Sequence, residues 1–302
     1  MNGDWKMIFS LIDIGSNTVK LAVYDTPSLR PVYFISKQIG LADYVMIQDD
    51  HTCIMTEEGM LSLKSTLSSF MTSLSNQGYP PPKAFCTEAC RNLENESALL
   101  SMVESVLGDK PRILTPALEA FYTVHGIIAH APTVDGLMID MGGASTELYA
   151  FLNKKPIGTP ISIPCGCRKL YHIYQQTSSR EQVVDAFFHS CDIPASFFSF
   201  NVPVYLSGGT AKAIKKFMDS GHCPPALLTN VSVLISYMIQ ALCEKENPMH
   251  AIFVSLWKDR YPLMLSSLFV FSSLIETFRP KQVFLSDSGT REGYLFIHFM
   301  DQ

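Results

Sequence analysis

Asp13 and Asp140 each close an apolar run, and each is followed by a turn of glycine and small residues. The first segment is Ile12-Asp13-Ile14-Gly15-Ser16-Asn17-Thr18, and the second is Ile139-Asp140-Met141-Gly142-Gly143-Ala144-Ser145. Glycine turns let backbone N–H groups approach an anion closely. A carboxylate beside such a turn suits a hard divalent cation that keeps several of its waters. Together the two features are what phosphate chemistry needs. Two further small-residue loops, Ser207-Gly208-Gly209-Thr210 and Ser288-Gly289-Thr290, lead into helical patterns, whose N-termini favour anions. One such loop alone is a common tight turn; four on one chain point to phosphate. Asp13, Asp140 and Glu147 are the candidate ligands for a magnesium or manganese ion.

The two Asp-containing segments are copies of one unit. IDIGSNTVKLAVY (12–24) aligns with IDMGGASTELYAF (139–151) at a constant offset of 127 residues. Each reads as apolar strand, acid, small turn and second strand, too close for a helical crossover, so each is expected to be a β-hairpin. Around them strand and helix patterns alternate. Strands are expected at Lys6–Ile12, Val19–Tyr24, Val32–Gln38, Lys83–Thr87, Arg112–Leu114, Ile157–Ile163, Val202–Leu206 and Gln282–Leu285. Helices are expected at Glu57–Asn76, Ser97–Leu107, Pro116–His130, Gly166–Gln175, Glu181–Ser190, Leu227–Lys245 and Asp259–Thr277, with another after Ser207. That alternation indicates an α/β fold. Glu119 falls in the first turns of the Pro116 helix, where an acid is also an ordinary partner of the helix dipole.

Length and composition agree with two coupled domains. The chain has 302 residues, 47% hydrophobic and 17% charged, with a net charge of −5. This excludes a disordered tail protein and makes general nucleic-acid binding a poor fit. The expected domains are 1–130 and 131–302, with Ala131–Asp135 as boundary. The N-terminus lacks a leader pattern, and the longest apolar run, Leu263–Ile275, is too short for a membrane span. It reads as a core helix. The eight cysteines form no CxxC pair and are expected to be reduced thiols of a cytoplasmic protein. The apolar stretches 227–243 and 261–278 are read as core, with a homodimer face as the alternative.

Six segments together resemble the exopolyphosphatase and guanosine pentaphosphate phosphatase (Ppx/GppA) family. In order they are DIGSNTVKL (13–21), TEACRNLEN (87–95), TPALEAFYTVHGI (115–127), IDMGGASTEL (139–148), YLSGGTAKAI (205–214) and SDSGTREG (286–293). The resemblance implies the actin-like ATPase superfold: two ribonuclease-H-like domains, each with a mixed five-stranded sheet flanked by helices, and an active-site cleft between them. Carried over residue by residue, it implies that Glu119 is the catalytic acid that orients or deprotonates the attacking water. It implies that Arg91 contacts the terminal phosphate, and that Asp140 and Glu147 lie next to the phosphates and the metal. Gly142, Gly143, Ser145, Gly208 and Gly209 match phosphate-loop positions. With them, the candidate phosphate-binding set also holds Gly15, Ser16, Asn17, Thr18, Ala144 and Thr210. Two features depart from the family pattern. Ala144 stands where a glycine is usual, and Leu118 and Phe121 replace an acid and an arginine beside Glu119.

The resemblance implies release of terminal phosphate from linear polyphosphate, with guanosine pentaphosphate, or the tetraphosphate as a bound alarmone, as alternative partners. Lys6, Lys20, Lys154, Lys155, Arg168, Lys169, Lys212, Lys215 and Lys216 are candidates for lining a path for a polyanion, or are ordinary solvated surface. A kinase of the same superfold and a non-catalytic polyphosphate or alarmone sensor are the competing classes. No nucleic acid or membrane partner is expected.

Overall fold

The computed structural model describes residues 8–25, 29–48, 52–194, 197, 201–244 and 246–300. The expected positions Lys6 and Lys245 lie outside them. The chain divides into two compact units, Met1–Glu119 with Leu295–Gln302, and Ala120–Tyr294. The division falls inside one helix, Pro116–His130, whose C-terminal end is where the sequence placed a boundary.

In the first unit, strands β1 (Ile8–Ile14), β2 (Thr18–Asp25), β3 (Arg30–Gln38), β6 (Lys83–Cys86) and β7 (Arg112–Ile113) form a sheet in the order β3-β2-β1-β6-β7. β1 pairs antiparallel with β2 and parallel with β6, and β6 pairs parallel with β7. The central strand β1 is buried from Ser10 to Ile14 on both faces, so it reads as mostly apolar rather than alternating, with Ser10 and Asp13 as its polar residues. Helix α1 (Glu57–Gln77) starts at Thr56, whose side chain accepts the Gly59 N–H. It buries Leu63, Leu67, Phe70 and Leu74, one stripe at helical spacing, against the sheet and helix α2 (Glu96–Leu107). A short hairpin, β4 (Val45–Ile47) and β5 (Cys53–Met55), was not foreseen from the sequence. Its three-residue strands are too short to show a period.

In the second unit the same plan recurs. Strands β8 (Gly136–Met141), β9 (Thr146–Leu152), β10 (Lys155–Ile163), β11 (Val204–Ser207) and β12 (Val283–Leu285) lie in the order β10-β9-β8-β11-β12. Strand senses match the first sheet pair for pair. The repeat read from the sequence is therefore a repeat of topology. Helix α3 (Pro116–His130) precedes β8, and helices α4 (Cys167–Thr177), α5 (Arg180–Phe188), α6 (Gly208–Asp219), α7 (Val231–Cys243), α8 (Met249–Trp257), α9 (Tyr261–Phe278) and α10 (Thr290–Leu295) follow β10. α9 packs against α4, α5 and α7 and buries residues all round its axis. The helical stretch Met249–Phe278 is long and apolar enough to cross a bilayer, yet 61% of its most apolar window is buried inside the molecule, as in a core helix. All eight cysteines are free thiols.

Candidate active site

In both units the candidate groups emerge from the C-terminal ends of neighbouring parallel strands, where open α/β sheets carry their ligands. In the first unit, β6 runs into a short 3-10 turn, Glu88–Cys90, and delivers Arg91. Next to it, β7 runs into α3 and delivers Glu119. The Leu114 N–H donates to the Cys86 carbonyl, which keeps the two exits side by side. Thr115 caps α3 by accepting the Leu118 N–H at 3.2 Å, and Pro116 opens the first turn. The result is an ion pair: an Arg91 Nη2 N–H donates to Glu119 Oε2. Sequence reasoning named both residues, and the fold brings them together across 28 positions of chain. Arg91 Nε is buried and has no hydrogen-bond partner among the described residues. A buried donor left without an acceptor costs about 1–3 kcal/mol, so this N–H has a donor's capacity to spare for an anion.

The two hairpins close identically but carry different charge. Gly15 N–H donates to Thr18 O at 3.2 Å, and Gly142 N–H donates to Ser145 O at 2.9 Å. In register, Asp13 faces Lys20 and Asp140 faces Glu147. Asp13 is salt-bridged to Lys20 at 3.3 Å, so the first hairpin balances its own charge. The second places two carboxylates opposite each other. Glu147 is nearly fully buried and accepts the Ser162 hydroxyl at 2.9 Å. Among the described residues no group of three or more His, Cys, Asp or Glu is placed to hold a metal ion. A two-carboxylate oxygen site fits magnesium or manganese, which keep waters and accept phosphate oxygens as remaining ligands.

The turn from Gly142 to Ser145 is oriented by helix α4. The Cys167 and Arg168 N–H groups donate to the carbonyls of Gly142 and Gly143, both at 3.0 Å. In a trans peptide the next residue's N–H points opposite to the carbonyl. Gly143 and Ala144 N–H groups are thus turned away from α4, and neither donates to another described residue. Gly166 permits this close seating, since a Cβ there would fall 2.6 Å from the Ala144 nitrogen. Ala144 has no positive φ, so the methyl that replaces the family's glycine fits its backbone. In the first unit the tip is pinned differently. Ala42 N–H donates to Ser16 O at 2.8 Å, and Ile39 and Gly40 N–H groups share the Asn17 carbonyl.

The third loop joins β11 to α6. Ser207 lies beside Asp140 in the parallel ladder, and Gly208 sits at φ 88° against the Met141 carbonyl. Thr210, in the first turn of α6, is fully buried, and its hydroxyl has no partner among the described residues. Against Gly209 lies a residue that sequence reasoning missed. A Cβ on Gly209 would fall 2.3 Å from the Arg260 guanidinium. The same guanidinium neighbours Cys167, where it partly opposes the upward push of burial on the thiol. Arg260 therefore joins the start of α6 to the start of α4. Its only sequence signal is a short charged run, Lys258-Asp259-Arg260, before an apolar helix, a pattern that ordinarily means solvated surface.

Several candidate basic residues are committed to the fold instead. Lys154 donates to the carbonyls of Ile128 and Ala131 at the end of α3, Lys169 to Pro164 O at 3.1 Å, and Lys216 to Leu256 O at 2.7 Å. Lys215 is paired with Asp287 at 3.1 Å.

The sequence matches the profile of the Ppx/GppA phosphatase family over residues 31–194. It is 25% identical over 173 residues to Retrograde regulation protein 2 of Saccharomyces cerevisiae, covering 53% of this chain and 29% of that protein. It is 28% identical over 169 residues to Exopolyphosphatase 1 of Mycobacterium tuberculosis, covering 54% of this chain and 48% of that protein. The chain thus matches about half the length, or less, of these relatives. Its fold matches the crystal structure of the Aquifex aeolicus Ppx/GppA family member with a TM-score of 0.77 at 20% identity, over 98% of both chains.

Proposed function

The chain belongs to the Ppx/GppA phosphatase family, and from that premise we propose that it is a phosphoanhydride hydrolase, releasing the terminal phosphate of linear polyphosphate. The observation that carries the reading is the Arg91–Glu119 ion pair, with a buried Arg91 Nε that has no partner among the described residues. Phosphoryl transfer demands positioning and neutralisation of charge more than covalent chemistry. Glu119 orients the attacking water and accepts its proton. Arg91 fixes that carboxylate with one arm and offers its remaining N–H donors to the terminal phosphate oxygens. The outward N–H groups of Gly143 and Ala144, and the start of α6 at Gly208-Gly209-Thr210, take further phosphate oxygens. Asp140 and Glu147 would hold the divalent cation, which supplies charge neutralisation when bound. The bond between the terminal phosphorus and its bridging oxygen breaks, and the shortened chain leaves. The sequence suggests a cytoplasmic protein.

The test is phosphate release from polyphosphate, guanosine pentaphosphate and ATP, each with magnesium and with EDTA. Release from polyphosphate with magnesium, lost with EDTA, is the expected result. Release from guanosine pentaphosphate alone would move the substrate to the alarmone. Binding of polyphosphate without release would make the chain a sensor, and ADP formation that needs an added acceptor would make it a kinase.

Arg260 is expected to grip substrate in both ground and transition states. Arg260→Met should raise KM for polyphosphate about tenfold with kcat within about twofold, the signature of lost uniform binding. An unchanged KM in steady-state kinetics would remove Arg260 from the site.

A further inference from the structure

We propose that the segment Ser286–Leu295 is a positioning clamp for α3, gripping the helix on the face that carries Glu119. This rests on the catalytic reading of Glu119 given above. Glu119, Thr123, Gly126 and His130 are spaced by four, three and four residues, so they form one stripe along α3. The three residues behind Glu119 all meet the segment. Thr123 Oγ1 lies 2.9 Å from Thr290 Oγ1, and His130 Nδ1 lies 3.0 Å from Ser288 Oγ. Between these two contacts the backbones themselves touch. A Cβ on Gly126 would fall 2.4 Å from Gly289 O, and one on Gly293 would fall 1.6 Å from Tyr122 O. The rings of Tyr122 and Tyr294 meet edge-on at 5.3 Å beside the crossing.

Contact of this kind fixes α3 in translation and in rotation, because close-packed backbone has no soft side chain to yield. The segment is also shaped in advance. Glu292 Oε2 accepts the Gly289 N–H at 2.8 Å, and Ser286 Oγ donates to Ser288 O at 3.0 Å. Of the two glycines of SDSGTREG, Gly293 is accounted for by this crossing, whereas a Cβ on Gly289 would meet only Ser207 Oγ at 3.9 Å. A displacement of order 1 Å at a reacting group can cost about a hundredfold in rate, so a helix that carries the water-orienting acid warrants such seating.

The experiment uses the full chain and two variants. Thr290→Val removes one hydroxyl and keeps the shape; Thr290→Ser keeps the hydroxyl. Thr290→Val is expected to lower kcat about tenfold with KM within about twofold, and Thr290→Ser to recover at least half of the wild-type rate. Amide hydrogen exchange over residues 116–123 is expected to quicken several-fold in Thr290→Val, with α1 unchanged. A raised KM at constant kcat would assign the segment to substrate binding and overturn the clamp. Unchanged exchange over 116–123 would overturn it too, whatever the activity. If the wild-type chain releases no phosphate from any substrate, the catalytic reading fails alone, and the exchange result still decides the clamp.

Discussion

Glu119→Gln is expected to lower phosphate release from polyphosphate by about a thousandfold, with polyphosphate binding within a few-fold of wild type. Losing a positioned general base costs about 10²–10⁴ in rate. Glutamine keeps the size of the side chain and an oxygen able to accept the Arg91 N–H, so the seat at the start of α3 survives. What it loses is the capacity to take a proton and the charge opposite Arg91. The neighbouring guanidinium then has no anion until the terminal phosphate arrives, which favours binding while chemistry stops. Binding is read by displacement of a labelled polyphosphate, and turnover by inorganic phosphate. Near-normal turnover would sink the assignment of Glu119. Loss of binding together with turnover would show instead that the ion pair holds the site's shape.

Much of this site is legible in the sequence because its parts are local. Asp140 and Glu147 flank one four-residue turn, and the hairpin register that sets them opposite each other follows from that turn. The offset of 127 residues covers the two hairpins alone; the last strands of each sheet are spaced differently, β6 at Lys83 and β7 at Arg112 against β11 at Val204 and β12 at Val283, so the shared sheet order is a fact of topology. The Arg91–Glu119 pair needs one step more. It is visible only when β6 and β7 are known to be parallel neighbours, one followed by the turn that bears Arg91 and the other by the helix that bears Glu119. The family resemblance names both residues but not their pairing. Arg260 lies beyond it, because what places the guanidinium on Gly209 is the packing of α9 and its preceding turn, which leave no local periodic mark. The crossing of α3 with α10 is hidden for a similar reason. Gly126 and Gly293 are legible as small residues, but which backbone each admits is a tertiary fact.

Gly208 separates the two demands that glycine meets in the β11–α6 turn, and Gly208→Ala is expected to cost about 3 kcal/mol of stability or more. The left-handed φ of 88° alone penalises an L-residue by about 1–2 kcal/mol. The remainder comes from contact with atoms that cannot yield. An alanine Cβ would lie 2.2 Å from the Met141 carbonyl oxygen and 2.9 Å from Asp140 Oδ1. Met141 belongs to the central strand of its sheet, so the turn must move, and α6 with it. Because Asp140 is one of the atoms pushed, phosphate release should fall by about a hundredfold even in the molecules that remain folded. Gly209→Ala is the matching control. Its Cβ meets only the far end of Arg260, a flexible side chain that can swing aside, and its φ is not left-handed. It should therefore lose less than about 1 kcal/mol, within the range of ordinary substitutions. Its activity should follow the Arg260 pattern, a raised KM with kcat kept. Urea unfolding of both variants against wild type gives the stabilities, and steady-state kinetics gives the rest. Equal stabilities for the Gly208→Ala and Gly209→Ala variants would mean that the turn relaxes freely, and that Asp140 is not held by the start of α6.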